Sequence, residues 1–551
     1  MSTLSVTGSW EQVLHGEAKT QLEHLLPDAL RAKRWFGGKA RPVQSTAITE
    51  AIPISFDSAR AQFMFVQIHF RDGGQETYSL PLCFASGDHA RAILTEFPET
   101  FIARLRIKMA DREEEGVLYD ALWNEDFSSH LLSAFKEERS YPGASGELVA
   151  SRTDVYDDLV DRNAGMRATV LNVEQSNTSV RFADRVMLKV YRRLGEGVNP
   201  DLELGRVLTK AKFRHIPALA AALEYRPKSG EPVTVAILQA YVRNQGDAWR
   251  QALGVIDGYF DRILRDRPEA PERRESAQPL LDSVEAEPSP LAHSLIGSYL
   301  GSVRDLGRRT AELHLALAQQ DGDPDFRPEP FSETYLQARY ESMCQLVQRT
   351  SRLLRDQVDE LPHGVQADAR KILDLEAGLL ARFRTFRNLS CSGLRIRCHG
   401  DYHLGQVLCA EKDLVIIDFE GEPARPLTER RTKHSPLLDV AGMLRSFHYA
   451  VYAAMFDHMT RHEGDGERFS AALEPWAIFW YRWIRIGFLQ SYLSVIRTAQ
   501  CWPQSTEEAQ VLLDAHYLEK AVYELGYELN HRPEWVRIPV HGILRFLENA
   551  P

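Results

Sequence analysis

CHGDYHLGQVLCAEKDLVIIDFEGE, residues 398–422, is the stretch whose reading decides the fold. LVII (414–417) is an apolar run of strand length, and it delivers Asp418 to a polar segment beginning DFE. Asp401 lies seventeen positions upstream in a polar loop between apolar runs, and Gln406 follows it by five. A hairpin of this form brings two carboxylates and a side-chain amide to one point. Donors that are all oxygen suit a hard cation such as Mg²⁺, which keeps several waters and binds nucleotide phosphates. One carboxylate would then stay free of metal to accept or orient a hydroxyl proton.

Upstream of this segment the pattern is that of strands. MRATVLNV from 166, then SVRF, then RVMLKVY read as strands, with Ala183-Asp184 as a hairpin turn. PDLELGRVLTKA (200–211) predicts a helix with Pro200 near its first turn, and VTVAILQAYV (233–242) another buried strand. After about residue 245 the period is helical. Nearer the start, IPISF (52–56), AQFMFVQIHF (61–70) and ETYSLPLCF (76–84) predict a small β-rich module, with RDGG (71–74) as a turn. LPDALRAKRWFGGKAR (26–41) predicts a helix ended by Gly37 and Gly38. Its Trp35-Phe36 pair fits either a functional loop or a buried aromatic staple among solvated charges, and the second is the ordinary reading. RDRPEAPERRESAQPLLDSVEAEPSP (265–290) holds five prolines and many charges, which predicts an exposed insertion between helices. Two lobes joined by a strand-like hinge would leave a cleft at their junction, where ligand sites concentrate.

Composition limits the function classes. The 551 residues suffice for several domains, and 26% charged with 44% hydrophobic is ordinary for globular chains. With 66 Lys+Arg against 77 Asp+Glu the net charge is −11, which disfavours nucleic acid as a partner. Six cysteines show no metal-ligand spacing and fit a reducing compartment. The start, MSTLSVTGSWEQVLHGE, lacks a signal-peptide pattern, and no apolar run reaches the ~18 residues a membrane span needs. A soluble cytoplasmic enzyme is the expectation.

HGD, an amide five residues on and an apolar strand ending in Asp together resemble the catalytic core of aminoglycoside-phosphotransferase-like kinases, relatives of protein kinases. The resemblance implies an α+β, bilobal protein-kinase-like fold with a β-rich N-terminal cap, and ATP and Mg²⁺ as cofactors. Its boundaries here would be 1–105 for the cap, 106–241 for the nucleotide lobe and 242–551 for the helical lobe. It makes Asp401 the catalytic base, and Gln406 and Asp418 the metal ligands, with Gln406 standing where Asn is usual. EQSNTS (174–179) becomes the nucleotide loop, with Ser176, Asn177, Thr178 and Ser179 offering N–H groups and hydroxyls to phosphate. Lys189 would reach the α/β-phosphates with Glu203 fixing its ammonium, while backbone amides around Gln239, Ala240 and Tyr241 would meet adenine. His399 would hold the catalytic loop, and Asp439 would anchor its backbone as a buried acceptor.

Longer motifs narrow the resemblance. EQSNTS, LKVYRRLGEGVNPDLE, IDFEGEPARPLTERRTKHSPLLDVAGMLRSFHYA, LEKAVYELGYELNHRPEWVRIPVHGIL and RWFGGKAR are similar to the maltokinase family, over about residues 30 to 545. This implies maltose 1-phosphate made from ATP and maltose, feeding glycogen synthesis from trehalose, with trehalose synthase as a partner in trans. Leu438 and His448 depart from the family pattern, which has Arg and Asp there. A neutral disaccharide needs carboxylates, amides and aromatic faces. Glu420 and His403 beside the reacting centre, and Lys520, Glu524 and Tyr527 on a late helix, are the candidates, with a surface ion pair between Lys520 and Glu524 at i, i+4 as the alternative reading of those two. Trp476, Trp480 and Trp483 share a helical face that reads as core before sugar platform. Rival readings are a kinase of glucosamine or an aminoglycoside-type acceptor, and a catalytically silent nucleotide-binding partner of a glycan-making complex. The presence of Lys189, Glu203, Asp401 and Asp418 argues against the last.

Overall fold

Strict alternation along Ala59–Phe70 explains why the first sheet is covered on both faces. Phe63 and Phe65 point into one core, with Ile52, Ile54 and Phe56. Met64, Val66, Ile68 and Phe70 point into another, with Leu22, Leu26 and Leu30 of the helix Gly16–Arg31. The structure is a computed structural model and describes residues 3–160, 166–171, 176–269, 271, 280–320, 322–411, 413–461 and 466–549.

The first sheet contains β1 (Thr3–Thr7), β2 (Val43–Phe56), β3 (Ala59–Phe70), β4 (Gln75–Ser86), β5 (Phe101–Lys108) and β6 (Glu113–Asp120), in the order β1-β5-β6-β4-β3-β2. The second contains β7 (Ser140–Pro142), β8 (Gly146–Arg152), β9 (Ala168–Leu171), β10 (Asn177–Phe182) and β11 (Val186–Tyr191). The short β12 (Arg193–Leu194) leaves it to pair with β4, while β13 (Leu219–Pro227) and β14 (Val233–Ala240) complete it, in the order β7-β8-β13-β14-β11-β10-β9. Its neighbours are all antiparallel.

Two compact units result: residues 1–210 with 217–243 and 425–429, and residues 211–216 with 244–424 and 430–551. The expected boundary at 105 falls inside β5, because β5 and β6 pair along their length and carry the cap sheet on to Asp120. Cap and nucleotide lobe belong to one unit because they share a core, in which Ile52 and Phe63 of the first sheet join Leu148, Val180 and Leu223 of the second.

Three local expectations shift. The early helix ends at Arg31, well before Gly37, because Lys33, Trp35 and Phe36 turn inward and are buried. The aromatic pair is thus a staple, but Lys33 is not one of its solvated charges. Burial pushes its ammonium down to about 8, although Asp120 pulls it up. Within 265–290, residues 270 and 272–279 lie outside the described residues, and the later part is not simply exposed. Leu281 and Val284 are buried, and Gln490 donates to the Val284 carbonyl at 2.8 Å.

The second unit is built of long helices, among them Tyr299–Ala318, Leu437–Arg461, Gly466–Ile496 and Thr506–His531. Trp476, Trp480 and Trp483 are core residues of the third, which removes them from the sugar candidates. No helix among the described residues is long and apolar enough to cross a membrane.

Candidate functional site

The strands Val407–Cys409 and Leu414–Ile416 pair antiparallel, with Val407 opposite Ile416. Gln406 and Asp418 flank that last pair, and the Gln406 amide donates to Asp418 Oδ2 at 2.9 Å. The hairpin thus brings together the two residues expected to hold metal. Asp418 sits at φ +65, a left-handed conformation that a non-glycine side chain adopts at a cost and that is concentrated at functional sites.

Asp401 follows a loop held by a buried acid. Asp439, in the helix Leu437–Arg461, accepts the backbone N–H of His399 at 2.9 Å and that of Gly400 at 2.9 Å. His314 Nε2 lies 3.0 Å from the same carboxylate. Burial alone would push this carboxyl up, but the imidazole of His314 and the loop N–H groups hold it below the usual carboxylate range. His399 Nε2 donates to the Ile417 carbonyl at 2.9 Å, tying the loop to the strand that precedes Asp418. Helix and loop touch closely at Gly442, where an added Cβ would stand 2.6 Å from the Tyr402 carbonyl oxygen.

Lys520, on the helix Thr506–His531, meets Asp401 Oδ1 at 3.0 Å and Glu422 Oε2 at 3.2 Å. Tyr523 donates to Glu422 Oε1 at 2.6 Å. Lys520 was expected to pair with Glu524 one turn along, but Glu524 instead accepts from the fully buried Arg445, with Nε at 3.1 Å. Burial pushes the Asp401 carboxyl up, yet Lys520 and then His403, whose Nε2 is 3.9 Å away, hold it below its ordinary value. The same burial keeps His403 low and its imidazole neutral near pH 7. His448, one of the two departures from the family pattern, is buried with Nδ1 3.4 Å from Arg445 Nη1, so it packs behind this network. Leu438 is half-buried on the same helix.

From Lys520 the acidic face of the helix continues. Glu528 is buried and accepts from Tyr449 and from Arg532. Tyr449 stacks on Trp535 at 5.8 Å and 15°, and Trp249 lies 6.1 Å from Tyr449. These aromatic rings border a cavity of about 1020 Å³, also lined by Arg532 and Glu534. Tyr527, by contrast, is exposed and stacked on His531 at 4.4 Å, outside that lining. Glu420 is half-buried.

In the first unit, the carboxylate that meets Lys189 is Asp201, at 2.9 Å, and Tyr191 donates to the same oxygen at 2.9 Å. Asp201, which the sequence reading did not single out, therefore holds the Lys189 ammonium. In the helix Pro200–Lys210 the buried face runs through Asp201, Leu204 and Leu208, while Glu203 lies off it and is half-exposed. Of the expected nucleotide loop, Glu174 and Gln175 lie outside the described residues and Ser176 is exposed. Asn177, Thr178 and Ser179 are not an open loop but the buried start of β10, opposite Tyr191, Val190 and Lys189. The adenine expectation also needs correction. The N–H of Ala240 is taken by the Ala218 carbonyl and that of Tyr241 by Arg185, and Gln239 pairs within the sheet on both sides.

Sequence reasoning missed Glu422, Asp201 and Arg445. For Glu422 a signal was present in the i, i+2, i+4 acidic spacing of Asp418, Glu420 and Glu422. For Asp201 it was the apolar face of its helix.

Residues 30–123 match the maltokinase N-terminal cap domain, and residues 259–468 match the phosphotransferase enzyme family. The glucosamine kinase of Mycolicibacterium smegmatis is 24% identical over 383 residues, which is 69% of this chain and 79% of that protein. The glucosamine kinase of Streptacidiphilus jiangxiensis is 22% identical over 371 residues, 67% of this chain and 70% of its own length. A glucosamine kinase solved in complex with glucosamine, ADP and inorganic phosphate superposes with a TM-score of 0.60 at 17% identity, covering 98% of this chain and 99% of that one. The fold is therefore α+β and kinase-like with a β-rich N-terminal cap, as the resemblance implied.

Two outcomes follow from the geometry. Asp439→Asn leaves two loop N–H donors facing one amide oxygen, so stability falls by about 1–3 kcal/mol in urea denaturation and phosphotransfer falls with it. Lys520→Met leaves Asp401 buried without its cation. Its carboxyl then binds a proton at higher pH, and the acid limb of the pH–rate profile moves upward; an acid limb that stays put would assign that limb to another group.

Proposed function

We propose that this chain, which joins a maltokinase N-terminal cap domain to a phosphotransferase domain, transfers the γ-phosphoryl group of ATP to the anomeric hydroxyl of maltose, giving maltose 1-phosphate and ADP. The observation that carries the reading is the state of Asp401: an ionised carboxylate on a loop held by Asp439, with Lys520 on Oδ1 and Oδ2 left to accept the hydroxyl proton. Lys189, steadied by Asp201, serves the phosphates. Asp418 and Gln406 fit Mg²⁺, since a carboxylate and an amide within hydrogen-bond reach make a hard, oxygen-only donor pair. Bound there, the ion would neutralise phosphate charge. The chain's own residues position the reactants, which is most of what a loose phosphoryl transition state asks of a protein.

The curated relatives are glucosamine kinases, so an amino sugar is the second reading. One feature favours a disaccharide. The eight steps from Lys520 to Glu528 span about 12 Å of helix, and at the far end lies the aromatic cavity bordered by Tyr449 and Trp535. Aromatic faces beside carboxylates and arginines suit the second ring of a neutral sugar. A role beside trehalose synthase, in a route from trehalose to glycogen, rests on the family resemblance alone.

Asp401→Asn is expected to retain nucleotide binding in calorimetry while turnover falls about 10²–10⁴-fold; unchanged turnover would remove Asp401 from the chemistry. In a sugar panel read by coupled ADP release, maltose is expected to outperform glucosamine, and Trp535→Ala to raise KM for maltose about tenfold. A preference for glucosamine, with Trp535→Ala inert, would replace the maltose reading with the amino-sugar one.

A further inference from the structure

Most charges around the aromatic cavity are answered by the protein itself. Arg532 commits its guanidinium to Glu528, with Nη2 at 2.8 Å. Arg461 donates to Asp257 and, at 2.9 Å, to Asp457, and His458 Nε2 lies 2.8 Å from the same Asp257 carboxylate. Arg537 is different. It lines the same cavity, half-buried, with its guanidinium 3.1 Å from the centre of the Phe456 ring. Among the described residues it has no ion pair, and its buried Nε has no acceptor. Burial alone pushes the group down to about 10, and no carboxylate offsets the effect. Glu534 also lines the cavity, but it is exposed and forms no ion pair with Arg537.

Local structure gives no reason for a cation here. Arg537 is the first residue of the helix Arg537–Asn549, whose first turn holds no acid. The open N–H groups make that end of a helix positive, so a guanidinium there adds charge of the same sign. Phe456 covers a face of the guanidinium but accepts none of its in-plane N–H groups. A sugar hydroxyl would supply an acceptor without charge. An oxyanion supplies both, with oxygens spaced to match the planar fork. Beside Arg537 the same cavity offers the stacked rings of Tyr449 and Trp535, faces that suit a sugar ring. The ligand that satisfies rings and cation together is a phosphate carried on a sugar.

We propose that Arg537 makes this cavity a phosphate-binding site, which takes a sugar phosphate with its ring on Tyr449 and Trp535 and its phosphate on the guanidinium. No bond forms or breaks there. The product of the proposed reaction is such a molecule, so it returns to the faces assigned above to the second sugar ring and competes with the next acceptor. That consequence rests on the kinase reading, whereas binding at Arg537 is tested without turnover.

Calorimetry compares the wild-type protein with Arg537→Gln, Arg537→Met and Arg537→Lys, using maltose 1-phosphate, inorganic phosphate and maltose as ligands with no nucleotide present. Arg537→Met keeps a long unbranched stem against Phe456 should Arg537→Gln fail to fold. Maltose 1-phosphate is expected to bind the wild-type protein and to weaken about tenfold or more in the uncharged variants, but about threefold at most in Arg537→Lys. Maltose should stay within about twofold throughout, because its neutral hydroxyls gain little from the charge. Inorganic phosphate that weakens in step supports the site and adds the free ion as an occupant. Inorganic phosphate that does not bind supports it with the sugar ring required. Unchanged maltose 1-phosphate binding in a folded uncharged variant would overturn the proposal. So would equal weakening of maltose, which would make Arg537 a ligand of the neutral sugar, or failure of the wild-type protein to bind maltose 1-phosphate. Absence of ATP-dependent phosphorylation of any sugar would overturn the kinase reading instead, with the phosphate site still decided by the binding data.

Discussion

A carboxylate sealed from water must be answered from within the protein, and Asp439 is answered by the backbone of the loop that ends in Asp401. It accepts from His399 and Gly400 and faces His314, so its charge is met by groups that cannot leave without exposing it. The loop is thereby fixed one residue before the proposed base. His399 carries the constraint across to Ile417, the residue before Asp418. One buried charge thus orients both proposed catalytic carboxylates, although seventeen residues separate them in the chain. Gly442 belongs to the same constraint, since the helix that presents Asp439 can lie against Tyr402 only where no Cβ intervenes.

The helix bearing Asp439 also determines where Lys520 stands. Two turns on, Arg445 is buried and holds Glu524 of the helix Thr506–His531. That pairing places Lys520, one turn earlier, against Asp401 and Glu422. Lys520 lies between two carboxylates, and its ammonium is raised by them against the opposing effect of burial. The arrangement keeps Asp401 ionised in a half-closed setting where a lone carboxyl would tend to take up a proton. A proposed base of this kind is ready before the substrate arrives.

Much of this was legible in the sequence, and the failures have a common form. The hairpin from Asp401 to Asp418 could be read because its parts are local: two short apolar strands and fixed spacings. Asp439 as a backbone anchor could be named because the motif around it is long. Pairings across the chain could not be read from spacing. Lys520 looked matched to Glu524 at i, i+4, but a residue 119 positions away was its partner. Asp201 meets Lys189 because the buried face of its helix runs through it, which spacing from the strand did not reveal. The four residues read as an open phosphate loop contained three strand residues, because pairing with β11 overrides the weak strand preference of Asn and Ser. Tertiary pairing decided each case, and polarity was a poor guide to exposure.

The two units solve one problem with the same side chain. Arg192 and Arg445 are both fully buried, and each joins elements distant in sequence: Arg192 donates to Asp120 and to Thr178, Arg445 to Glu524. Lysine would not serve. Lys33, beside Arg192 and close to Asp120, is pushed by burial down to about 8, so near neutral pH part of its population would shed the proton and the attraction with it. A guanidinium stays charged at any pH the protein meets, and its planar fork holds several acceptors in one geometry. A tether that must hold Thr178 and Asp120 at once, with no water to replace either, therefore calls for arginine. Trp35, of the cap's buried aromatic staple, supplies the flat face on which that fork can lie.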